Sequence, residues 1–157
     1  MDTSSFNIHP DREIVTTRTI PVTREVVFKA WIDPDILKLW WGPAGFTNTF
    51  YEFNPVPGGK WKFTMHGPEK GNYPNEVIFL KIEAPSLIAW DRISQPHFRV
   101  ETTFEEMPGN KTKLIFRMQF NSKEECDKLK KFVVDKNEEN FDKLETELKK
   151  NQDDQVR

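Results

Sequence analysis

The seven residues WWGPAGF at positions 40–46 constrain the fold of this chain more than any other stretch. Two adjacent tryptophans are followed directly by two glycines and a proline, a pattern that ends a helix. A second turn signal, PGGKW at positions 57–61, follows a short hairpin-length later. Large apolar side chains at a helix end beside a strand typically close one end of a core or a pocket. The sequence therefore predicts such a closure at residues 40–46.

The remainder of the chain predicts an α+β domain with two short helices after the first strand. These helices begin at the N-cap candidates Thr23 and Asp33, and a long amphipathic helix runs from a Ser122 cap to about Lys150. The predicted strands, which are rich in β-branched residues or alternate in polarity, cover residues 13–20, 46–53, 60–66, 76–83, 87–94, 98–106 and 111–120. Because such a sheet has one apolar face to cover, we expect it to curl around the long helix.

Length and composition exclude several classes of function. The 157 residues predict one domain over residues 12–150, with loose termini at 1–11 and 151–157. A net charge of −2 does not indicate the basic surface that nucleic-acid binding requires. No apolar run approaches the roughly 20 residues that membrane insertion requires. Cys126 is the only cysteine, and the three histidines lack partners at metal-binding spacing. We expect a cytoplasmic domain without a metal site or a cofactor.

Six motifs are similar to those of a known family. They are WWGP (40–43), GFT (45–47), PGGKW (57–61), MHGP (65–68), YPNE (73–76) and NEENFDKL (137–144). Together they resemble the Aha1-like (activator of Hsp90 ATPase homologue) branch of the START/Bet v 1 superfamily over roughly residues 12–150. The resemblance implies a helix-grip fold, in which a curved seven-stranded antiparallel sheet wraps around the long C-terminal helix and leaves a cavity. Superfamily members use that cavity for apolar small molecules, and the branch offers no fixed catalytic residues.

Two amides in the long helix are the sharpest local indication of a pocket. Asn137 and Asn140 interrupt an apolar stripe at helical spacing, so each should meet a backbone group, a water or a ligand. Aromatic and methionine side chains expected near them line either the pocket or the core. The candidate pocket-lining residues are Trp40, Trp41, Phe46, Trp61, Phe63, Met65, Trp90, Phe104, Met118, Asn137, Asn140 and Phe141.

The sequence assigns no catalytic residue. His66 ends a predicted strand and His97 begins another, so each is a candidate general acid or base at a cavity rim. Asp91 and Arg92 are neighbours on a strand and point to opposite faces, so an inward-facing one needs a partner. Three hypotheses stay open: binding of an apolar or amphipathic small molecule, an enzyme acting on an apolar substrate, and an interaction module for a partner such as the Hsp90 chaperone.

Overall fold

The computed structural model describes the backbone of residues 10–156 and the side chains of residues 11–150. Within this range a 3₁₀ turn, Pro10–Arg12, precedes seven strands and three α-helices. The elements follow in the order β1 (Glu13–Ile20), α1 (Arg24–Ile32), α2 (Pro34–Trp40), β2 (Thr47–Phe53), β3 (Lys60–His66), β4 (Asn72–Glu83), β5 (Leu87–Arg92), β6 (Phe98–Met107), β7 (Lys111–Phe120) and α3 (Lys123–Val156).

The strands form one antiparallel sheet in the order β1-β7-β6-β5-β4-β3-β2. From β2 onward each strand pairs with its neighbour in sequence, and β1 closes the far side by pairing with β7 from Glu13↔Gln119 to Ile20↔Thr112. The long helix α3 packs against β1, β7 and both short helices. This arrangement is the helix-grip fold, and it confirms the predicted fold class.

The ends of the elements differ from the prediction by two or more residues at three places. β4 begins at Asn72 rather than residue 76, because β3 and β4 stay paired down to His66↔Asn72. Pro74 is tolerated there because β5 joins β4 only from Val77 onward, so this part of β4 is an edge. β5 ends at Arg92 rather than residue 94. The helix α3 continues to Val156, past the predicted end at 150, whereas residues 1–9 and 157 of the predicted loose termini lie outside the described residues.

Two of the three predicted helix caps form side-chain hydrogen bonds. The Asp33 carboxylate accepts from the Asp35 backbone N–H at 3.0 Å, and the Ser122 hydroxyl accepts from the Glu125 backbone N–H at 3.2 Å. Thr23 has the extended backbone of a cap but makes no side-chain cap bond. Within residues 10–156, no helix combines the length and hydrophobicity that crossing a bilayer demands.

A cluster of aromatic rings around Trp31 forms the core beneath the short helices. The Trp31 ring lies 4.9 Å from Trp40 and 5.6 Å from Phe104 between centroids, and Phe116 and Phe141 lie at 6.0 and 6.1 Å. α1 and α2 therefore fill one part of the concave face of the sheet. The remaining part, beneath the loop after α2, is where a cavity can form.

Arg18 on β1 connects the edge of the sheet to α3. Its guanidinium forms ion pairs with Glu138, Asp142 and Glu145 at 2.7, 2.8 and 2.9 Å. Burial acts to lower the pKa of Arg18, but the hydrogen bonds that its guanidinium donates to the three carboxylates outweigh it, so the pKa lies above its ordinary value. The three acidic side chains share one helix face and would repel one another without this cation.

Replacing Arg18 with methionine is expected to destabilise the protein by about 1–2 kcal/mol. This loss of stability is smaller than the loss expected when a fully buried, hydrogen-bonded charge is removed. The three carboxylates are 36–70% exposed, so water screens their attraction to Arg18. Urea denaturation at low and high salt measures the loss, which should shrink in 1 M NaCl. The control Lys123→Met removes an exposed cation paired with Asp127 and should change the midpoint little. Equal effects of the two substitutions would contradict this role of Arg18.

Candidate functional site

The loop after α2 is fastened to α3 by polar contacts. The Gly42 backbone N–H donates to Asn140 Oδ1 at 3.0 Å. Lys143 Nζ donates to the carbonyl oxygens of Phe46 and Pro43 at 3.0 and 3.3 Å, and burial lowers the pKa of Lys143 although Glu147 opposes that shift. Gly42 has φ +100°, a backbone conformation that favours glycine. The double-tryptophan motif therefore ends in a loop with a fixed position above the sheet.

A cavity of about 220 Å³ lies between this loop, the concave face of β3–β7 and α3. Eight of the twelve candidate residues line it: Trp41, Trp61, Phe63, Met65, Trp90, Met118, Asn137 and Asn140. The three from β3 lie at alternate positions, as expected for side chains on one face of a strand. The cavity wall is thus dominated by aromatic rings and methionine.

The other four candidates lie outside the cavity lining. Trp40 is fully buried and donates its indole N–H to the Ala30 carbonyl at 3.0 Å. Phe104 packs edge-on against Phe28 of α1 at 5.1 Å. Phe141 packs against Trp31 and Phe116 in the core, and Phe46 lies 5.9 Å from Tyr73 at the edge of the sheet.

Asn137 and Asn140 both line the cavity and both have protein partners. Asn137 Nδ2 donates to Thr16 Oγ1 at 3.2 Å and contacts Met118 Sδ at 3.4 Å. Asn140 Oδ1 accepts from Gly42, as described above. One polar atom of each amide therefore bonds to the protein. The other polar atoms, Asn137 Oδ1 and Asn140 Nδ2, make no hydrogen bond within the described residues.

Arg92 is the main cavity residue that is absent from the candidate list. It is half-buried in the cavity wall. Its Nε donates to Asn75 Oδ1 and its Nη1 to the Pro96 carbonyl, both at 2.8 Å, while its guanidinium carbon lies 5.3 Å from the centroid of the Phe98 ring. Burial lowers the pKa of Arg92. Strand alternation could have identified Arg92 from the sequence, because Trp90 and Arg92 are two residues apart on one strand and therefore share a face.

Several further lining residues were also missed. Asn75 precedes the strand predicted at residues 76–83, and only the register Phe63↔Asn75 shows that it belongs to β4. Lys136 on α3 directly precedes Asn137, one of the two amides that were predicted to line the pocket. The remaining ones are Gly42, Pro43, Val77, Phe98, Val100 and Phe116.

His66, His97 and Cys126 lie outside the cavity lining. Asp91 faces away from Arg92, and its Oδ1 lies 2.6 Å from His97 Nε2. His66 bridges Thr49 Oγ1 and Asn72 Oδ1 at 2.8 and 2.7 Å. Cys126 is buried on α3, and burial together with neighbouring charges raises the pKa of its thiol. Arg92 and Lys136 are the cavity-lining side chains that carry charge, and the described lining contains no histidine, aspartate, glutamate, cysteine or tyrosine.

Comparison with solved structures finds the same fold in bacterial proteins. The chain is similar to a protein from Nitrosomonas europaea with a TM-score of 0.85 and 18% identity over 92% of this chain and 99% of the other. A protein from Arthrobacter aurescens has a TM-score of 0.83 and 21% identity over 94% and 92%. An AHSA1-like protein from Aeromonas hydrophila has a TM-score of 0.73 and 18% identity over 89% and 94%. At these identities the likeness shows the fold alone.

The family is shown by sequence. No curated protein sequence matches the chain. The model of one protein family, described as activator of Hsp90 ATPase homolog 1-like protein, matches residues 21–149, which include both short helices, six of the seven strands and most of α3. The chain therefore belongs to the activator of Hsp90 ATPase homolog 1-like family, within the START/Bet v 1 superfamily.

Proposed function

We propose that this protein binds an apolar or amphipathic small molecule in the cavity between the sheet and α3. The observation that carries the proposal is the makeup of the cavity wall, in which aromatic and aliphatic side chains surround a few fixed polar groups. This is the composition of small-molecule sites in general. The superfamily commonly binds ligands with this fold, which supports the same use here.

The size of the cavity limits the ligand to one or two rings or an equivalent chain. Its volume of about 220 Å³ is below the range of about 300–1,000 Å³ for drug-sized ligands. A ligand with the apolar area of one large aromatic side chain, about 150–250 Å², gains about 4–6 kcal/mol on burial. The loss of translational and rotational freedom on association costs a comparable free energy. We therefore expect that tight binding also requires polar contacts.

One donor in the cavity wall is buried without a partner. Trp61 is 1% exposed and lines the cavity, and its indole N–H has no hydrogen-bond partner among the described residues. A buried unsatisfied donor costs about 1–3 kcal/mol. Because the nitrogen atom itself is closed off from the cavity space, an acceptor on a bound molecule would reach it only after the Trp61 ring turns.

Filling the cavity is expected to abolish ligand binding. Val100 is fully buried in the cavity wall, so Val100→Phe should place a ring in the space that a ligand needs. The matched control is Val15→Phe, at a position on β1 that is 49% exposed. Calorimetric titration with 2-naphthamide, a neutral two-ring probe, should show binding to the wild type and the control. Affinity for Val100→Phe should fall at least about tenfold.

Folding of each variant must be checked, because overpacking costs about 1–3 kcal/mol. Circular dichroism and thermal unfolding provide that check, and Met118→Trp is a second cavity-filling variant on another strand. Undiminished binding of 2-naphthamide to both folded cavity-filling variants would contradict the proposed site.

The two alternative functions have less structural support. The described cavity lining contains no histidine, aspartate or glutamate, so an enzyme that used one of them as general acid or base would need a residue from outside it. The family description raises a chaperone interaction, which would need a contiguous apolar surface. Among the described residues, the four most exposed large apolar side chains, Leu39, Tyr51, Tyr73 and Phe132, lie on four different elements.

A further inference from the structure

We propose that the ligand is an anion, an aromatic or apolar carboxylic acid whose carboxylate binds Arg92. This inference rests on the proposed small-molecule function and adds the chemical class of the ligand. It is carried by the charge balance of the cavity and by the way in which the guanidinium is held.

The charges on the cavity wall are all positive. Arg92 and Lys136 line it, and no aspartate or glutamate is among the described lining residues. Lys136 Nζ lies 3.8 Å from Glu139 Oε1, and its side chain is 53% exposed at the mouth. Arg92 forms no ion pair within the described part of the chain. An unpaired cation among aromatic rings favours an anionic partner, because the low dielectric strengthens their attraction.

Arg92 is held in place before any ligand arrives. Of its five N–H donors, one bonds to Asn75 Oδ1 and one to the Pro96 carbonyl. Asn75 is itself fixed, because its Nδ2 donates to the Tyr73 carbonyl at 2.8 Å. Contact with the Phe98 ring restrains the plane of the guanidinium further. A cation held by three groups loses little side-chain entropy when it binds a ligand.

Three donors of Arg92 are left without a partner in the described structure. They are both hydrogens on Nη2 and the second hydrogen on Nη1. A carboxylate accepts two parallel N–H bonds from adjacent guanidinium nitrogens, which is the geometry that arginine recognises best. A neutral amide of the same shape has one carbonyl oxygen and an NH₂ group, so it cannot form this pair. The cavity should therefore select an acid over its amide.

The test compares two probes of the same shape, 2-naphthoate and 2-naphthamide. Calorimetric titration of the wild-type protein should show that the acid binds at least about tenfold more tightly, as expected for charge-assisted hydrogen bonds. Arg92→Gln should remove this preference by weakening 2-naphthoate binding much more than 2-naphthamide binding.

The matched control is Arg99→Gln. Arg99 lies opposite Asp91 on the adjacent strand, is 45% exposed and is outside the described cavity lining. Arg99→Gln removes the same charge from the protein at a position outside the proposed site, so the preference for 2-naphthoate over 2-naphthamide should persist. Arg92→Lys keeps the charge but not the paired donors, and it should retain an intermediate preference.

The outcomes separate this inference from the proposed function. If neither probe binds the wild type, the proposed function fails and the inference fails with it. If both bind equally well, or if Arg92→Gln and Arg99→Gln lose the preference to the same extent, the anionic ligand is excluded and the cavity function stands. Should Arg92→Gln not fold, the wild-type comparison and Arg92→Lys still decide.

Discussion

Replacing Gly59 with alanine is expected to destabilise the protein by about 3 kcal/mol or more. Gly59 ends the turn between β2 and β3. A Cβ atom at this position would overlap the carbonyl oxygen of Asn54 and would lie 3.0 Å from that of Val56. Both obstacles are backbone atoms, so no side-chain rotation can relieve them. The turn would have to open, which would break the Gly59–Val56 and Phe79–Gly59 backbone hydrogen bonds.

The neighbouring glycine is the control for this prediction. Gly58 has φ +83°, and a Cβ there meets nothing within 4 Å. Gly58→Ala therefore introduces only the strain of a left-handed residue, about 1–2 kcal/mol. Urea denaturation midpoints with unchanged slopes would compare the two variants directly. If Gly59→Ala cost no more than Gly58→Ala, the steric explanation would be wrong.

Opening this turn is also expected to disturb the cavity, because the turn is bonded to strands that form the cavity wall. Gly58 N–H donates to the Phe79 carbonyl and Phe79 N–H to the Gly59 carbonyl, so the turn ties the hairpin to β4. Trp61, which lines the cavity, lies two residues further along β3. The PGGKW motif is thus explained by local geometry, and its glycines need not contact a ligand.

Patterns within single strands were the most predictable part of the site. The alternation in β3 placed Trp61, Phe63 and Met65 on one face, and all three line the cavity. The same rule puts Arg92 on the face of Trp90, although Arg92 was not among the predicted pocket residues. Period-two alternation is a local property that each strand carries in its own sequence.

The position of the cavity on the sheet could not be predicted from alternation. Phe104 and Phe116 both face the concave side, but α1 covers Phe104 through Phe28 and Trp31, while Phe116 also lines the cavity. Which part of the face is filled depends on where α1 and α2 pack, and that depends on contacts between distant residues. Asn75 was missed for a similar reason, since its partner strand fixes it in β4.

The adjacent residues Trp40 and Trp41 are expected to differ sharply when each is replaced by alanine. Trp40 is fully buried, packs on Trp31 and donates its N–H to Ala30. Trp40→Ala should therefore cost about 3–5 kcal/mol in stability. Trp41 is only partly buried and lines the cavity, so Trp41→Ala should cost less stability and weaken 2-naphthamide binding at least about fivefold.

Two measurements on the same variants separate a scaffold role from a ligand-contact role. Urea denaturation gives the stability of each variant, and titration at a temperature where both are folded gives the affinity. Leu39→Ala, at a position in α2 that is 55% exposed, controls for shortening a side chain in this helix and should affect neither quantity much. A folded Trp40→Ala variant should bind the probe nearly as well as the wild type. If it lost affinity as strongly as Trp41→Ala, the two tryptophans would form one cooperative unit, and the division of roles between core and cavity would be wrong.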